Sequence, residues 1–289
     1  MVATILASLS FAVQNLACKA YAKRFPEGIV GLALVNSLAL AVVCAIMALL
    51  GGAAAISAAA FGIAACFGVT FVATLFAMVA AMAAGPLGVT TLICNASMLI
   101  PTVAGLMFWN ERLTPLKGIG VALIACLLVL SALGSRDGAQ GGVKWLMLTL
   151  GAFAGNGILS ILQRLMSTYC AEVTANAFTF WTSLISGGIC LAVMAIGKWR
   201  GADLTRWMRE KKTLGLCALG IGAGTAGGNC LSILALTALP AVVMFPIRQG
   251  LLVLMMWLAG IVLYHEKMSL RGLVILVTGL AGMMLLNIG

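Results

Sequence analysis

Arg248 stands inside the apolar stretch AVVMFPIRQGLLVLMMWLAGIVLY, residues 241–264, shortly after Pro246 and directly before Gln249. Its guanidinium is a planar fork of donors that suits a carboxylate or phosphate held by two hydrogen bonds at once. At the helical rise it lies roughly 10 Å into the stretch. A charge that deep in hydrocarbon is costly unless something receives it. Three arrangements would do so. The side chain snorkels to the nearer interface or bonds carbonyls freed by Pro246. It pairs with a carboxylate at a helix end. Or it faces a wet cavity and binds an anionic group on a ligand.

Other polar groups sit in apolar stretches: Gln14 and Asn15 near the start, then Asn36, Asn95, Ser97, Asn156, Asn176, Trp181 and Asn229. Amides at such depth bond across helices or face a cavity. Trp181, with Phe178 nearby, either packs or offers a stacking surface. The candidate substrate contacts are therefore Arg248, Gln249, Asn95, Gln14, Asn15, Asn156, Asn176, Trp181 and Asn229. The seven acidic residues, Glu27, Glu111, Asp137, Glu172, Asp203, Glu210 and Glu266, all fall at junctions or in loops. A cation carrier wants a buried carboxylate to pair with its substrate, and a proton antiporter wants one to titrate. The single histidine, His265, lies at the end of a stretch and reads as interfacial. The nine cysteines contain no CxxC pair and read as small packing residues, so no metal or cofactor is expected. An intramembrane enzyme would need a titratable cluster that the apolar stretches lack.

The elements that must position these side chains follow from hydropathy. Hydrophobic residues make up 63% of the 289 and charged ones only 8%, with a mean hydropathy of +1.17. A soluble domain carries about 25% charged residues, so an integral membrane protein is expected. Stretches of about 20 apolar residues mark spans. Ten occur, near 2–20, 28–50, 58–82, 86–108, 115–134, 142–164, 173–196, 213–237, 241–264 and 270–288. Lipid-exposed backbone must satisfy its hydrogen bonds within each segment, so the fold class is an all-α polytopic bundle. The net charge of +10 lies mostly in loops and suits anionic lipid headgroups rather than nucleic acid. The first stretch lacks the basic lead of a cleavable signal. GIGAGTAGG in the eighth span lacks the Lys-Ser/Thr ending of a phosphate loop; with Gly220, Gly224 and Gly228 it reads as a face for close helix approach.

The chain repeats itself. PLGVTTLICNASMLIPTVAGLMFWNERLTPLKGIG begins at Pro86, and PAVVMFPIRQGLLVLMMWLAGIVLYHEKMSLRGLV begins at Pro240. Asn95 and Gln249 hold matching places. Glu111-Arg112-Leu113-Thr114 and Glu266-Lys267-Met268-Ser269 close the two spans, Thr114 and Ser269 being good caps for the next helix. SFAVQNLACK in the first span is matched more loosely by AFAGNGILSILQR in the sixth. Five spans per repeat make the second copy enter the membrane from the opposite side, an inverted duplication found in secondary transporters. The repeats are 1–134 and 142–289, joined by a linker at 135–141.

The proline-led fourth and ninth spans, the E-[RK]-x-[TS] junctions and the five-plus-five plan resemble the drug/metabolite transporter superfamily, in its ten-helix EamA-type branch. The resemblance covers nearly the whole chain. It implies a carrier whose central cavity is lined by spans 1–4 and 6–9, with spans 5 and 10 peripheral and open to homodimer formation. It implies a small-molecule substrate and a plasma or bacterial inner membrane, but no particular substrate. The family keeps both termini cytoplasmic. Here only Arg112, Lys117 and Arg164 share the termini's side, while nearly all other Lys and Arg fall on the opposite side, so the positive-inside rule places the termini outside. The expected function is a secondary transporter or facilitator of a small polar metabolite, anionic or zwitterionic. The alternatives are a carrier of cationic or lipophilic drug-like compounds and a non-transporting membrane scaffold.

Overall fold

A computed structural model describes residues 2–25, 29–108, 114–136, 142–201, 209–238, 241–266 and 270–288. Among them every regular element is helical. The helices are α1 (Val2–Arg24), α2 (Ile29–Leu49), α3 (Ala58–Ala84), α4 (Leu87–Asn95), α5 (Leu99–Phe108), α6 (Pro115–Arg136), α7 (Gly142–Tyr169), α8 (Ala175–Trp199), α9 (Lys211–Ala238), α10 (Ala241–Tyr264) and α11 (Leu270–Ile288). Among the described residues eight segments are long and apolar enough to cross a membrane, α4 and α5 counting together as one. Shorter apolar stretches, Gly118–Leu127 and Gly272–Leu285, lie in α6 and α11. This is the make-up of an integral membrane protein. Residues 111–113 and 267–269 of the two junction quartets, residues 137–141 of the linker and residues 202–208 between α8 and α9 lie outside the described residues.

Local chemistry sets the helix ends. Ser57 and Thr174 are extended residues whose hydroxyls accept from the Ala60 and Ala177 amides, capping α3 and α8. Pro86 precedes α4, where its missing N–H costs nothing. The expected single span 86–108 is interrupted by a 3-10 turn at Ala96–Met98. Pro101 accounts for the break. It has no N–H to give the Ser97 carbonyl four residues back, and its ring crowds that carbonyl.

The bundle is built from pairs that join the two halves of the chain: α1 on α9, α2 on α8, α3 on α7 and α6 on α11. Helix α10 crosses α1, α4 and α11. Glycine lets α9 come close to α1. A Cβ on Gly224 would stand 2.6 Å from the Ser10 carbonyl oxygen and 2.8 Å from the Gln14 nitrogen, both backbone atoms. One helical turn on, Gly228 accommodates the Phe11 ring. At one end of the bundle Tyr21, Met82, Leu87 and Met256 form a buried cluster from α1, α3, α4 and α10. Beside it the Trp145 indole covers Gly85 and donates to the Thr90 hydroxyl at 2.8 Å.

Gly224→Ala is expected to lower the melting temperature of the detergent-purified protein, by about 1–3 kcal/mol of stability, because backbone must move to admit the methyl. Gly188→Ala, where a Cβ meets nothing within 4 Å, should leave it unchanged or raise it slightly.

Candidate functional site

A cavity of about 370 Å³ lies inside the bundle. Helix α1 gives Phe11, Gln14 and Asn15; α4 gives Thr91 and Asn95; the 3-10 turn gives Ser97; α7 gives Asn156 and Gln163; α9 gives Thr225 and Asn229; α10 gives Arg248 and Gln249. The facing wall is aromatic and hydroxylic: Phe67 and Phe71 on α3, Phe178, Thr182 and Ser186 on α8. Helices α6 and α11 supply no described lining residue. The broken span thus lies where membrane proteins tolerate irregular backbone, against a cavity.

Arg248 is the one charged residue among the described lining residues. Its Nη1 donates to the Ser232 hydroxyl at 3.2 Å, and that hydroxyl donates to the Gly228 carbonyl at 2.7 Å. The guanidinium carbon lies 5.1 Å from the Phe11 ring centroid, a cation–π contact. The Arg248 carbonyl accepts from Ser8 Oγ at 3.1 Å, fixing α10 against α1. Next to it the Gln249 Oε1 is buried without a hydrogen-bond partner among the described residues, as is the Thr91 hydroxyl. Such atoms are costly to leave unsatisfied.

Of the residues expected from sequence, Gln14, Asn15, Asn95, Asn156, Asn229, Arg248 and Gln249 line this one cavity. Asn176 and Trp181 are not among its lining residues. Asn176 Nδ2 donates to the Leu50 carbonyl at 3.2 Å, and Trp181 Nε1 to the Ala54 carbonyl at 2.9 Å. Both brace the turn between α2 and α3, because the Thr174 cap puts Asn176 in the first turn of α8 rather than at depth. Phe67 and Phe71, stacked at 6.2 Å, and the Phe178 ring, edge-on to Phe67 at 5.2 Å, form a wall of which the sequence singled out only Phe178, as a stacking partner of Trp181.

The two ends of the bundle differ. The lining reaches Gln163, which is exposed near the end of α7. At the opposite end lies Lys19, a buried charge that sequence reasoning also missed. Its Nζ donates to the carbonyls of Met82 at 2.6 Å and Gly85 at 2.8 Å and stands 3.6 Å from Glu266 Oε1. Glu266 in turn accepts the Leu87 amide at 2.9 and 3.1 Å, so it caps α4. A carboxylate at a helix N-terminus also meets the positive end of the helix dipole. The Tyr264 ring lies 5.5 Å from both Lys19 and Lys23.

No family model and no curated protein matches the sequence. Among solved structures 21 chains match. One, described only as the crystal structure of a protein, is similar with a TM-score of 0.58 over 99% of this chain and 96% of its own, at 19% identity. At that identity the likeness speaks for the fold alone.

Trp181→Phe removes the bond to the Ala54 carbonyl and should cost about 1 kcal/mol of thermal stability. Ligand affinity, read by calorimetry, should not change in this variant, whereas an effect on affinity would place Trp181 in the site.

Proposed function

We propose that this chain is a secondary transporter or facilitator, resembling the EamA-type branch of the drug/metabolite transporter superfamily, in a plasma or bacterial inner membrane. Its ten spans would form two inverted five-helix repeats. The helix pairing supports this. Exchanging the halves turns the pair α1–α9 into α7–α3 and returns α2–α8 and α6–α11 to themselves. The central cavity spans both halves, where inverted-repeat carriers hold their substrate.

The observation that carries the substrate class is Arg248, the one charge on a wall of amides and hydroxyls, among the described lining residues. A single guanidinium matches one carboxylate or a singly charged phosphate ester, or the acid group of a zwitterion. The amides beside it, Asn95 and Asn229 among them, offer the same solute further hydrogen bonds. The phenylalanine wall opposite suits an apolar body on that solute. The same wall favours the second reading, a carrier of lipophilic or cationic compounds bound by aromatic faces.

The two readings separate in a thermal-shift screen of wild type beside Arg248→Ala, since a ligand bound only by the folded state raises its stability. Anionic and zwitterionic metabolites should raise the wild-type melting temperature and lose that effect in the variant, with affinity down at least about tenfold. Proteoliposomes should take up the same compounds through the wild type only. Stabilisation of both proteins by quaternary ammonium compounds, with none by anions, would instead establish the cation reading.

A further inference from the structure

Lys19 and Glu266 bring opposite charges together inside the bundle, whereas the ion pair of Arg24 with Glu210, at 2.8 Å, is exposed. The Lys19 side chain is 10% accessible and that of Glu266 24%. Burying two charges is expensive and is offset only by good geometry and further hydrogen bonds. Here the further bonds come from three pieces of chain: the end of α3 through the Met82 and Gly85 carbonyls, the start of α4 through the Leu87 amide, and the end of α10 through Glu266 itself. Met82 is also part of the cavity lining. The pair therefore lies just beyond Met82, on the side of the cavity away from exposed Gln163, where Tyr21, Met82, Leu87 and Met256 share one buried cluster.

We infer that the Lys19–Glu266 pair is the latch of a two-state closure, which must come apart for the cavity to open at this end. This rests on the carrier reading above. An opening that draws α1 and α10 away from α3 and α4 takes Lys19 from both carbonyls and Glu266 from the Leu87 amide as well as from each other, and only water entering that end replaces them. The latch therefore has two arrangements, dry and shut or wet and open, with little stability between. The opposite end is braced differently, by Asn176 on the Leu50 carbonyl, Trp181 on the Ala54 carbonyl and Ser57 on Glu172 at 3.3 Å. These are neutral or exposed contacts that rearrange at small cost.

The test is hydrogen exchange on the full chain in nanodiscs, comparing wild type with Lys19→Met and Glu266→Gln. Glu266→Gln keeps an oxygen for the Leu87 amide and guards against a variant that fails to fold. Segments 82–90 and 258–266 should exchange about tenfold faster in either variant, as opening becomes easier. At the same time segments 50–57 and 170–178 at the other end should become more protected, because a carrier closes one end as it opens the other. A merely structural tie would loosen its own end and leave the other unchanged, and that result, or no change at either end, overturns the proposal. Solute uptake by wild-type proteoliposomes is measured in parallel. Its absence would remove the carrier reading, while the exchange pattern still decides whether the two ends are coupled.

Discussion

Hydrocarbon offers no hydrogen bonds, and the arrangement of this chain follows from that constraint. Hydroxyls in the helices turn back on their own backbone: Thr74 to Thr70, Thr149 to Trp145 and Thr225 to Ile221 all bond the carbonyl four residues earlier. Groups too long or too charged for that solution collect where protein can receive them. Asn95 bonds the Thr91 carbonyl and faces the cavity at the interrupted span. Lys19 takes two carbonyls and a carboxylate. Arg248 takes a hydroxyl and an aromatic face.

Packing and polarity are coupled through one helix contact. Glycines on α9 let α1 approach, and that approach puts Phe11 against Gly228 and beneath the Arg248 guanidinium. Ser8, one turn earlier on α1, holds the Arg248 carbonyl. The arginine is thus oriented by a surface whose main determinant is small residues on another helix. Substituting those glycines would disturb the charged wall without touching a polar atom.

Hydropathy alone located the helices, because apolar runs of this length, one after another, exceed what a soluble core can bury. The deep amides pointed to one cavity for the same reason: in hydrocarbon, polarity has to face inward. Depth was harder to read. Asn176 and Trp181 stand in an apolar stretch, yet the Thr174 cap places Asn176 in the first turn and the long Trp181 side chain reaches the Ala54 carbonyl, and hydropathy does not reveal where a helix begins to within a turn. Lys19 was obscure in the opposite way. It falls at the end of its stretch, where lysine ordinarily reaches headgroups, and its partner Glu266 is far off in the chain. Pro101 lies outside the repeated pattern that Pro86 and Pro240 make conspicuous, although its missing N–H is enough to break the span.

The charged groups also differ in how a membrane potential acts on them. A unit charge carried across 100 mV gains or loses about 2.3 kcal/mol. Lys19 and Glu266 carry opposite signs and sit within 3.6 Å of one another, so rearranging them as a pair moves almost no charge through the field. The described lining residues of the cavity include Arg248 and no acidic residue. An occupant with one negative charge makes that wall electrically silent, whereas an empty or neutral-loaded cavity leaves its positive charge in place. In a carrier of the kind proposed above, the field would then act on the return of the empty protein rather than on the passage of its cargo.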